Sequence, residues 1–230
     1  MDDQRGYGSL AAVLDDVAVG RFPPADGGVT IVPAPSRRDA GVIGFTAHAV
    51  IFIDADPKWV TAQLPGDLAG PLSPAFIQVL CEHTGRHAHT IDMLCTATAL
   101  PGPPAVALTS GPDLAHPRLA RALRYRNAVR AWRTDGGILL LGRGIADRWE
   151  VAIEVDPGRR GAGLGRGLAA AARHVLPPGT PLWAQIAPAN AASVRTFLAA
   201  GFMPVGAEAH LAHNELGERS PAVASACGSR

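Results

Sequence analysis

The chain has 230 residues, of which 47% are hydrophobic and 18% are charged, and its formal net charge is +1. This length is enough for one large or two small domains with a sizeable core. The near-neutral charge argues against a dedicated nucleic-acid or membrane-surface binder. No signal peptide or membrane span is recognisable, and three cysteines at irregular spacing indicate no disulfide framework, so we expect a cytoplasmic protein.

Helices and strands alternate in the first hundred residues. Ser9 is placed to cap a short helix, because the apolar residues Leu10, Val13, Leu14 and Val17 after it share one helical face. The patterning then predicts strands over residues 29–34 and 42–54, helices over 57–64 and 76–83, and a strand over 90–95.

The second half of the chain has a more regular pattern. It predicts a helix over residues 116–126, a β-hairpin over 128–142 that turns at Asp135-Gly136-Gly137, and a strand over Trp149–Val155. A helix over 164–175, a strand over 182–186, a helix that begins after Asn190 and ends at Gly201, and a strand over 203–211 follow. The polar residues from 213 onward are expected to form a mobile tail.

A glycine-rich segment, DPGRRGAGLGRGL, joins the strand Trp149–Val155 to the next helix. It is typical of an NTPase phosphate loop, a dinucleotide-binding turn, the pyrophosphate cradle of an acyl-CoA enzyme, or a plain surface turn. The NTPase loop is excluded because Leu164 stands where GxxxxGK[ST] requires lysine. The dinucleotide signature GxGxxG does not fit because Arg166 or Leu168 occupies its third glycine position.

The remaining pattern, Arg160-x-x-Gly163-x-Gly165, suits a pyrophosphate. Glycines let the backbone approach the ligand and point N–H groups at it, and a helix N-terminus adds about half a positive charge. Arg160, with Arg159 or Arg166, would add charge-assisted hydrogen bonds. Each glycine in the first turns of a helix destabilises the helix by up to about 1 kcal/mol relative to alanine. A plain surface turn, the alternative explanation, gives no reason for this loss of stability.

Two linked segments resemble motifs of the GCN5-related N-acetyltransferase (GNAT) superfamily. VAIEVDPGRRGAGLGRGL, residues 151–168, resembles the acetyl-CoA-binding motif, in which a strand ending near V-x-P precedes [RQ]-x-x-G-x-[GA]. IAPANAASVRTFLAAGF, residues 186–202, is similar to the N-x-x-[SA]-x-x-x-[YF]-x-x-x-G-F helix of the family. The resemblance covers about residues 128–211.

This resemblance implies a fold and a domain organisation. The expected fold is the α/β (α+β) acyl-CoA N-acyltransferase fold, with a central mixed, mostly antiparallel sheet flanked by helices. The acetyltransferase domain would span residues 89–212. Residues 1–88 match poorly and would form an α/β region that either binds the acceptor or is a degenerate second copy of the domain. Residues 213–230 would be the tail.

The resemblance also implies a cofactor site. Acetyl-CoA would be the co-substrate and would lie between the strands Trp149–Val155 and 182–186, which splay apart in this family. The backbone of Ile153 and Val155 would pair with the pantetheine arm, and the N–H of Val155 would polarise the thioester carbonyl. The pyrophosphate cradle would consist of Arg160, Gly161, Ala162, Gly163, Leu164, Gly165 and Arg166. Asn190 would contact the cofactor or cap its helix, and Phe197 would pack against the cofactor.

The implied reaction is direct attack of an amine on acetyl-CoA in a ternary complex, without a metal. A lysine-like amine with a pKa of about 10.4 is neutral only about once in 2,500 at pH 7, so a base assists. Glu154 and Glu150 fall on one side of their strand and are either candidate bases or ordinary solvated carboxylates. Many family members have a tyrosine where this chain has Phe197, which cannot protonate the leaving thiolate.

Two functional hypotheses therefore stay open. The first is an N-acetyltransferase that acts on a primary amine of a small molecule or peptide. The second is a catalytically silent acyl-CoA-binding or regulatory protein. A metal site is a weaker alternative: Cys81, Glu82, His83, His87 and His89 carry metal-capable groups, but their spacing matches no metal motif, and a polar helix end followed by a loop is expected instead.

Overall fold

The computed structural model describes residues 7–67, 70–111 and 116–213, which form one ten-stranded sheet with helices on both faces. The strands are β1 (Val29–Val32), β2 (Ala40–Phe45), β3 (His48–Phe52), β4 (Arg86–Thr98), β5 (Thr109–Ser110), β6 (Asn127–Thr134), β7 (Gly137–Arg143), β8 (Trp149–Val155), β9 (Pro181–Ile186) and β10 (Met203–His213). The helices are α1 (Leu10–Ala18), α2 (Pro57–Gln63), α3 (Pro74–Thr84), α4 (Pro117–Tyr125), α5 (Leu164–Ala171) and α6 (Ala191–Ala199).

The strands follow one another in the sheet in the order β1-β3-β2-β10-β4-β9-β8-β7-β6-β5. Only β1 with β3 and β8 with β9 pair in parallel, and the other neighbours are antiparallel. The expected α/β class, with a mixed and mostly antiparallel sheet flanked by helices, is therefore confirmed. None of the described helices is long and apolar enough to cross a membrane.

The predicted domain boundary falls in a strand at the middle of the sheet, β4 (Arg86–Thr98). Strand β4 lies between β9 and β10 and pairs antiparallel with both. The proposed boundary after residue 88 falls inside this strand, and the division into two parts stays a prediction. Of the expected tail, residues 214–230 lie outside the described part of the chain, and His213 is the last residue of β10.

Local sequence signals set the ends of several helices. The Ser9 hydroxyl accepts a hydrogen bond from the N–H of Ala12, and the Asp56 carboxylate accepts one from the N–H of Lys58. Gly85 ends α3 in the left-handed conformation that favours glycine. The two N-terminal contacts give hydrogen-bond partners to backbone N–H groups that a helix start otherwise leaves without one. They confirm the predicted starts of α1 and α2.

Two predicted elements are wrong in detail. The strand predicted over residues 42–54 is the hairpin of β2 and β3, which turns at Thr46 and Ala47, with Ala47 at a φ of 52°. Both strands are buried on both faces, so their apolar residues form one nearly continuous run in the sequence. The hydrophobic pattern therefore does not reveal the turn between them. The α-helix predicted over residues 164–175 ends at Ala171 and continues as the 3₁₀ turn Ala172–His174.

The two faces of the sheet carry different helices. Leu94 and Trp183 pack with α1, and Ala152 packs with α4, on what we call the front face. Their chain neighbours Cys95 and Ala184 point the opposite way, into the core beneath α5 and α6 on the back face. Helices α2 and α3 also cover the back face, over β2, β3 and β10. Consecutive strand residues alternate between these faces.

A buried charge network crosses the centre of the front face. Arg148 donates to the carboxylate of Glu208 at 2.7 and 3.0 Å and to that of Glu150 at 2.9 Å. Glu150 also accepts from Arg126 at 2.9 Å, and Gln185 donates to Glu208. Burial alone would lower the pKa of Arg148, but the two carboxylates outweigh it and raise the pKa above its usual value. The arginine therefore stays charged and ties β8 to β10.

We expect Arg148→Met to destabilise the protein by about 3–5 kcal/mol, because it leaves two buried carboxylates without their shared partner. Urea unfolding would measure the change in the free energy of unfolding. Arg159→Met is the matched control, because the Arg159–Asp135 ion pair is exposed and should contribute at most about 1 kcal/mol. Equal losses in the two variants would show that the buried network does not stabilise the fold.

Candidate functional site

Strands β8 and β9 separate beyond a single point of contact. They pair in parallel only at Glu150 and Trp183. On their outer sides, β8 stays paired with β7 as far as Val155, and β9 stays paired with β4 as far as Ile186. The gap between residues 151–155 and residues 184–186 is therefore an opening within the sheet, which we call the β8–β9 slot.

Backbone donors of β8 face this slot. The N–H of Asp156 donates to the carbonyl of Gly136, toward β7, at 2.9 Å. Because N–H groups alternate in direction along an extended chain, those of Val155 and Ile153 point the other way, into the slot. Arg160 approaches from that side, and its Nε donates to the carbonyl of Val155 at 3.2 Å. The N–H groups of Ile153 and Val155 thus remain open for an extended ligand, whereas Arg160 occupies the carbonyl of Val155.

The glycine-rich loop ends at an uncapped helix start. Gly161 and Gly163 have φ values of 82° and 83°, which L side chains rarely adopt. Gly163 is the N-cap of α5 and has no side chain that could accept from the first turn. The first helical hydrogen bond runs from the N–H of Gly167 to the carbonyl of Gly163. The N–H groups of residues 164–166 are therefore available to an anion, as at other helix N-termini.

Arginines lie around this loop. Arg160 and Arg166 are exposed beside it, and Ala162 and Leu164 complete the segment between them. Arg159 is bound to Asp135 at 2.6 Å, which holds the loop against the β6–β7 turn. The loop thus combines open N–H groups, the positive end of α5 and two exposed guanidinium groups, which is the chemistry that binds a pyrophosphate.

The second motif packs beside the first. The side-chain amide oxygen of Asn190, Oδ1, accepts a hydrogen bond from the N–H of Ser193 at 3.0 Å, so this side chain caps α6. Phe197 is buried and lies edge-on to Phe202, with 5.0 Å between ring centroids. Helix α6 contacts α5 next to the loop, and Thr196 borders Gly165. The contacts of Asn190 and Phe197 with a cofactor stay predictions.

Both candidate glutamates are held by arginines on the front face. Burial alone would raise the pKa of Glu150, but Arg148 and Arg126 outweigh it and lower the pKa. A hydrogen bond from Arg118, at 2.7 Å, is the largest cause that lowers the pKa of Glu154. Each glutamate is therefore an ionised partner in an ion pair, and its role as a base stays a prediction.

A cavity of about 170 Å³ opens on the front face, between α4 and strands β4, β8, β9 and β10. Ala152 and Gln185 both line it, and each lies two residues beyond the Glu150–Trp183 pairing on its own strand. The cavity is therefore next to the point where the slot begins. We call it the front pocket; its polar lining includes Asp39, His89, Asp92, Arg121, Gln185 and His210.

Sequence reasoning missed most of these polar residues, although it noted His89 as metal-capable. Burial raises the pKa of Asp92, a hydrogen bond from Thr90 counteracts part of this rise, and Glu208 raises the pKa further. Burial lowers the pKa of His89, and His87, Arg121 and His210 lower it further. Among the described residues, no group of three histidine, cysteine, aspartate or glutamate side chains is placed to hold a metal ion.

The missed residues come from distant parts of the chain. Strands β4 and β10 and helix α4 meet only because β4 inserts between β9 and β10. A break in the β4–β10 register near His89 and His210 changes the direction of the side chains there. The available sequence signal was the group of polar residues at 87–92 in an otherwise buried strand.

Comparison with known proteins finds similarity only to solved structures. No protein-family model and no curated protein matches the sequence. A GCN5-related N-acetyltransferase from Kribbella flavida is 18% identical over 60% of this chain and 63% of its own, with a TM-score of 0.40. A tandem GNAT protein from the clavulanic acid biosynthesis pathway is 18% identical over 71% of this chain and 62% of its own, with a TM-score of 0.38. The chain thus spans less than two thirds of either structure.

We expect Gly163→Glu to weaken acetyl-CoA binding by about 100-fold or more, because the carboxylate would face the pyrophosphate at the start of α5. Isothermal titration calorimetry would measure the affinity. Gly179→Glu is a matched control, since Gly179 also has a positive φ, of 86°, and open space around it, but lies away from the loop. If both variants bind equally well and melt at the same temperature, the loop does not bind the pyrophosphate.

Proposed function

We propose that this protein is an acetyl-CoA-dependent N-acetyltransferase of the GNAT type, which acetylates a primary amine in the cytoplasm. One observation supports it above the others: the β8–β9 slot joins the glycine-rich loop at the start of α5 to the front pocket. A cofactor with its pyrophosphate on the loop and its pantetheine arm in the slot would bring its thioester to this pocket.

The backbone of β8 would activate the thioester. The N–H groups of Ile153 and Val155 face the slot, so an extended pantetheine arm would pair with β8 in place of the missing strand contacts. The Val155 N–H would donate to the thioester oxygen, which becomes negative when the amine attacks. One such donor is typically worth ~10²–10³ in rate.

The reaction would proceed by direct transfer. The amine nitrogen forms a bond to the carbonyl carbon, the carbon–sulfur bond breaks, and the CoA thiolate leaves. Phe197 lies in the core and has no hydroxyl, so it donates no proton to this thiolate. Water would protonate it, because a thiol with a pKa of about 8.5 is a fair leaving group.

Asp92 is the base that we favour over Glu150 and Glu154. Met93 on β4 pairs with Ile186 on β9, and Trp183 on β9 pairs with Glu150 on β8. When both registers are continued along the strands, Asp92 lies level with Glu154 on the opposite side of the slot. Asp92 is half-buried in the front pocket, and no arginine is bound to it among the described residues. Its raised pKa makes it a stronger proton acceptor than an ordinary aspartate.

Acetyl-CoA should bind the protein with micromolar to millimolar affinity, and thiol release should follow when an amine is added. Calorimetry would measure binding, and a thiol reagent would measure release over a panel of amines. No binding at millimolar acetyl-CoA would contradict both the enzyme and an acyl-CoA-binding protein.

A catalytically silent acyl-CoA-binding protein is the second candidate. The buried Phe197, at the position where many GNAT proteins have a tyrosine, favours it. Binding of acetyl-CoA without release of thiol on any amine would support this second function.

Asp92→Asn should lower kcat/KM for the amine by about 10²–10⁴-fold and leave the affinity for acetyl-CoA unchanged, because the amide accepts no proton. The wild-type enzyme should lose activity as the pH falls through the raised pKa of Asp92, above the ordinary value of 3.8, because the carboxyl becomes protonated there. This acid limb should be absent in the variant.

The pH profile of kcat/KM measures both effects, and Asp15→Asn, on the exposed side of α1, is the control. An unchanged acid limb in Asp92→Asn would exclude Asp92 as the base. If that limb lay somewhat below pH 6.5, it would indicate His89 instead, whose pKa is lowered from that value.

A further inference from the structure

The geometry of the front pocket points to a small amino acid as the acceptor, a molecule that carries both a primary amine and a carboxylate. This inference rests on the proposed acetyltransferase function and narrows its substrate class. It depends on which charged groups of the pocket already have partners, on where the remaining ones lie, and on the size of the cavity.

Most of the charged side chains around the pocket are paired within the protein. Arg126 is bound to Glu150 at 2.9 Å, and Arg118 is bound to Glu154 at 2.7 Å. Asp39 lies 3.3 Å from Arg38 and 3.4 Å from His210. In these pairs an arginine lies beside each carboxylate, so the paired groups do not demand a charged ligand.

One cation and one carboxylate remain without an ion pair in the described part of the pocket. Arg121 on α4 lies over the Tyr125 ring, 5.6 Å from its centroid, and binds no carboxylate there. Asp92 on β4 accepts a hydrogen bond from the Thr90 hydroxyl at 2.8 Å. Arg121 and Asp92 affect each other electrostatically but form no direct ion pair, so they face the cavity from different elements.

This arrangement is complementary to a zwitterion. The carboxylate of the ligand would bind Arg121, whose guanidinium is held against Tyr125 and suits bidentate recognition. The ammonium group would lie at Asp92, which is on the sheet at the height of Glu154 beside the slot. Asp92 would then take the proton, and the neutral amine would be next to the thioester.

The size of the front pocket fits a molecule of this kind. The front pocket holds about 170 Å³. An apolar protein cavity of about 150 Å³ binds benzene, which has six non-hydrogen atoms. L-Alanine has the same number of non-hydrogen atoms, so a small amino acid matches the pocket in size, and a longer side chain would have to extend out of its open side.

The experiment compares amino acids with the amines that lack only the carboxylate. The pairs are glycine with methylamine, and L-alanine or β-alanine with ethylamine, each at saturating acetyl-CoA with thiol release as the readout. We expect kcat/KM to be about 10- to 100-fold higher for the amino acids, the effect of one charge-assisted hydrogen-bonded pair. Calorimetry with L-alanine and CoA gives a readout that does not depend on turnover.

Variants of α4 test the role of Arg121. Arg121→Gln should remove the preference for amino acids, so that kcat/KM for L-alanine falls to the value for ethylamine in the same variant. Arg121→Lys should retain part of the preference, because lysine keeps the charge but loses the bidentate geometry. Arg124→Gln, an exposed arginine of the same helix outside the pocket, should keep the wild-type preference.

The outcomes separate the inference from the proposed function. Equal kcat/KM for L-alanine and ethylamine, or a preference that survives in Arg121→Gln, would overturn the amino-acid assignment and leave the acetyltransferase standing. Failure to bind acetyl-CoA at all would overturn the proposed function first. Binding of L-alanine to the wild type and its loss in Arg121→Gln would support the assignment even if turnover were slow.

Discussion

The site depends on one buried cation. Arg148 lies between Glu150 and Glu208, and its guanidinium is 5.5 Å from the centre of the Trp183 ring. These contacts join β8, β9 and β10 at the one position where β8 and β9 pair. Because a buried charge is costly without partners, the strands are held together there, and the slot begins directly beyond it.

The slot connects two faces with different chemistry. On the back face, the loop offers backbone N–H groups, a helix start and two exposed arginines, which suit a phosphate anion. On the front face, α4 and β4 offer side chains of both signs around a small cavity. In the proposed function, the pyrophosphate would be bound mainly by the loop, and the acceptor would be selected by the side chains of the front pocket.

The sequence predicted the position of the glycine-rich loop, between a strand and a helix, because its signals are local. Positive φ values at Gly161 and Gly163 are a property of glycine itself, and the strand before them alternates within seven residues. It predicted the front pocket poorly. Asp92 and Arg121 are far apart in the chain, and nothing in their neighbourhoods indicates that β4 enters the sheet between β9 and β10. For the same reason it could not foresee that Arg126 engages Glu150 or that Arg148 engages Glu208.

By itself, the sequence determined the α/β class, most helix and strand positions, and the place of the glycine-rich loop between a strand and a helix, since each follows from residue spacing, capping and glycine conformation over a few turns. The tertiary structure alone decided which carboxylates are paired, which remain open to a ligand, and where the sheet parts. Those properties depend on contacts between strands and helices distant in the chain, because burial and charge pairing exist only after the elements have packed.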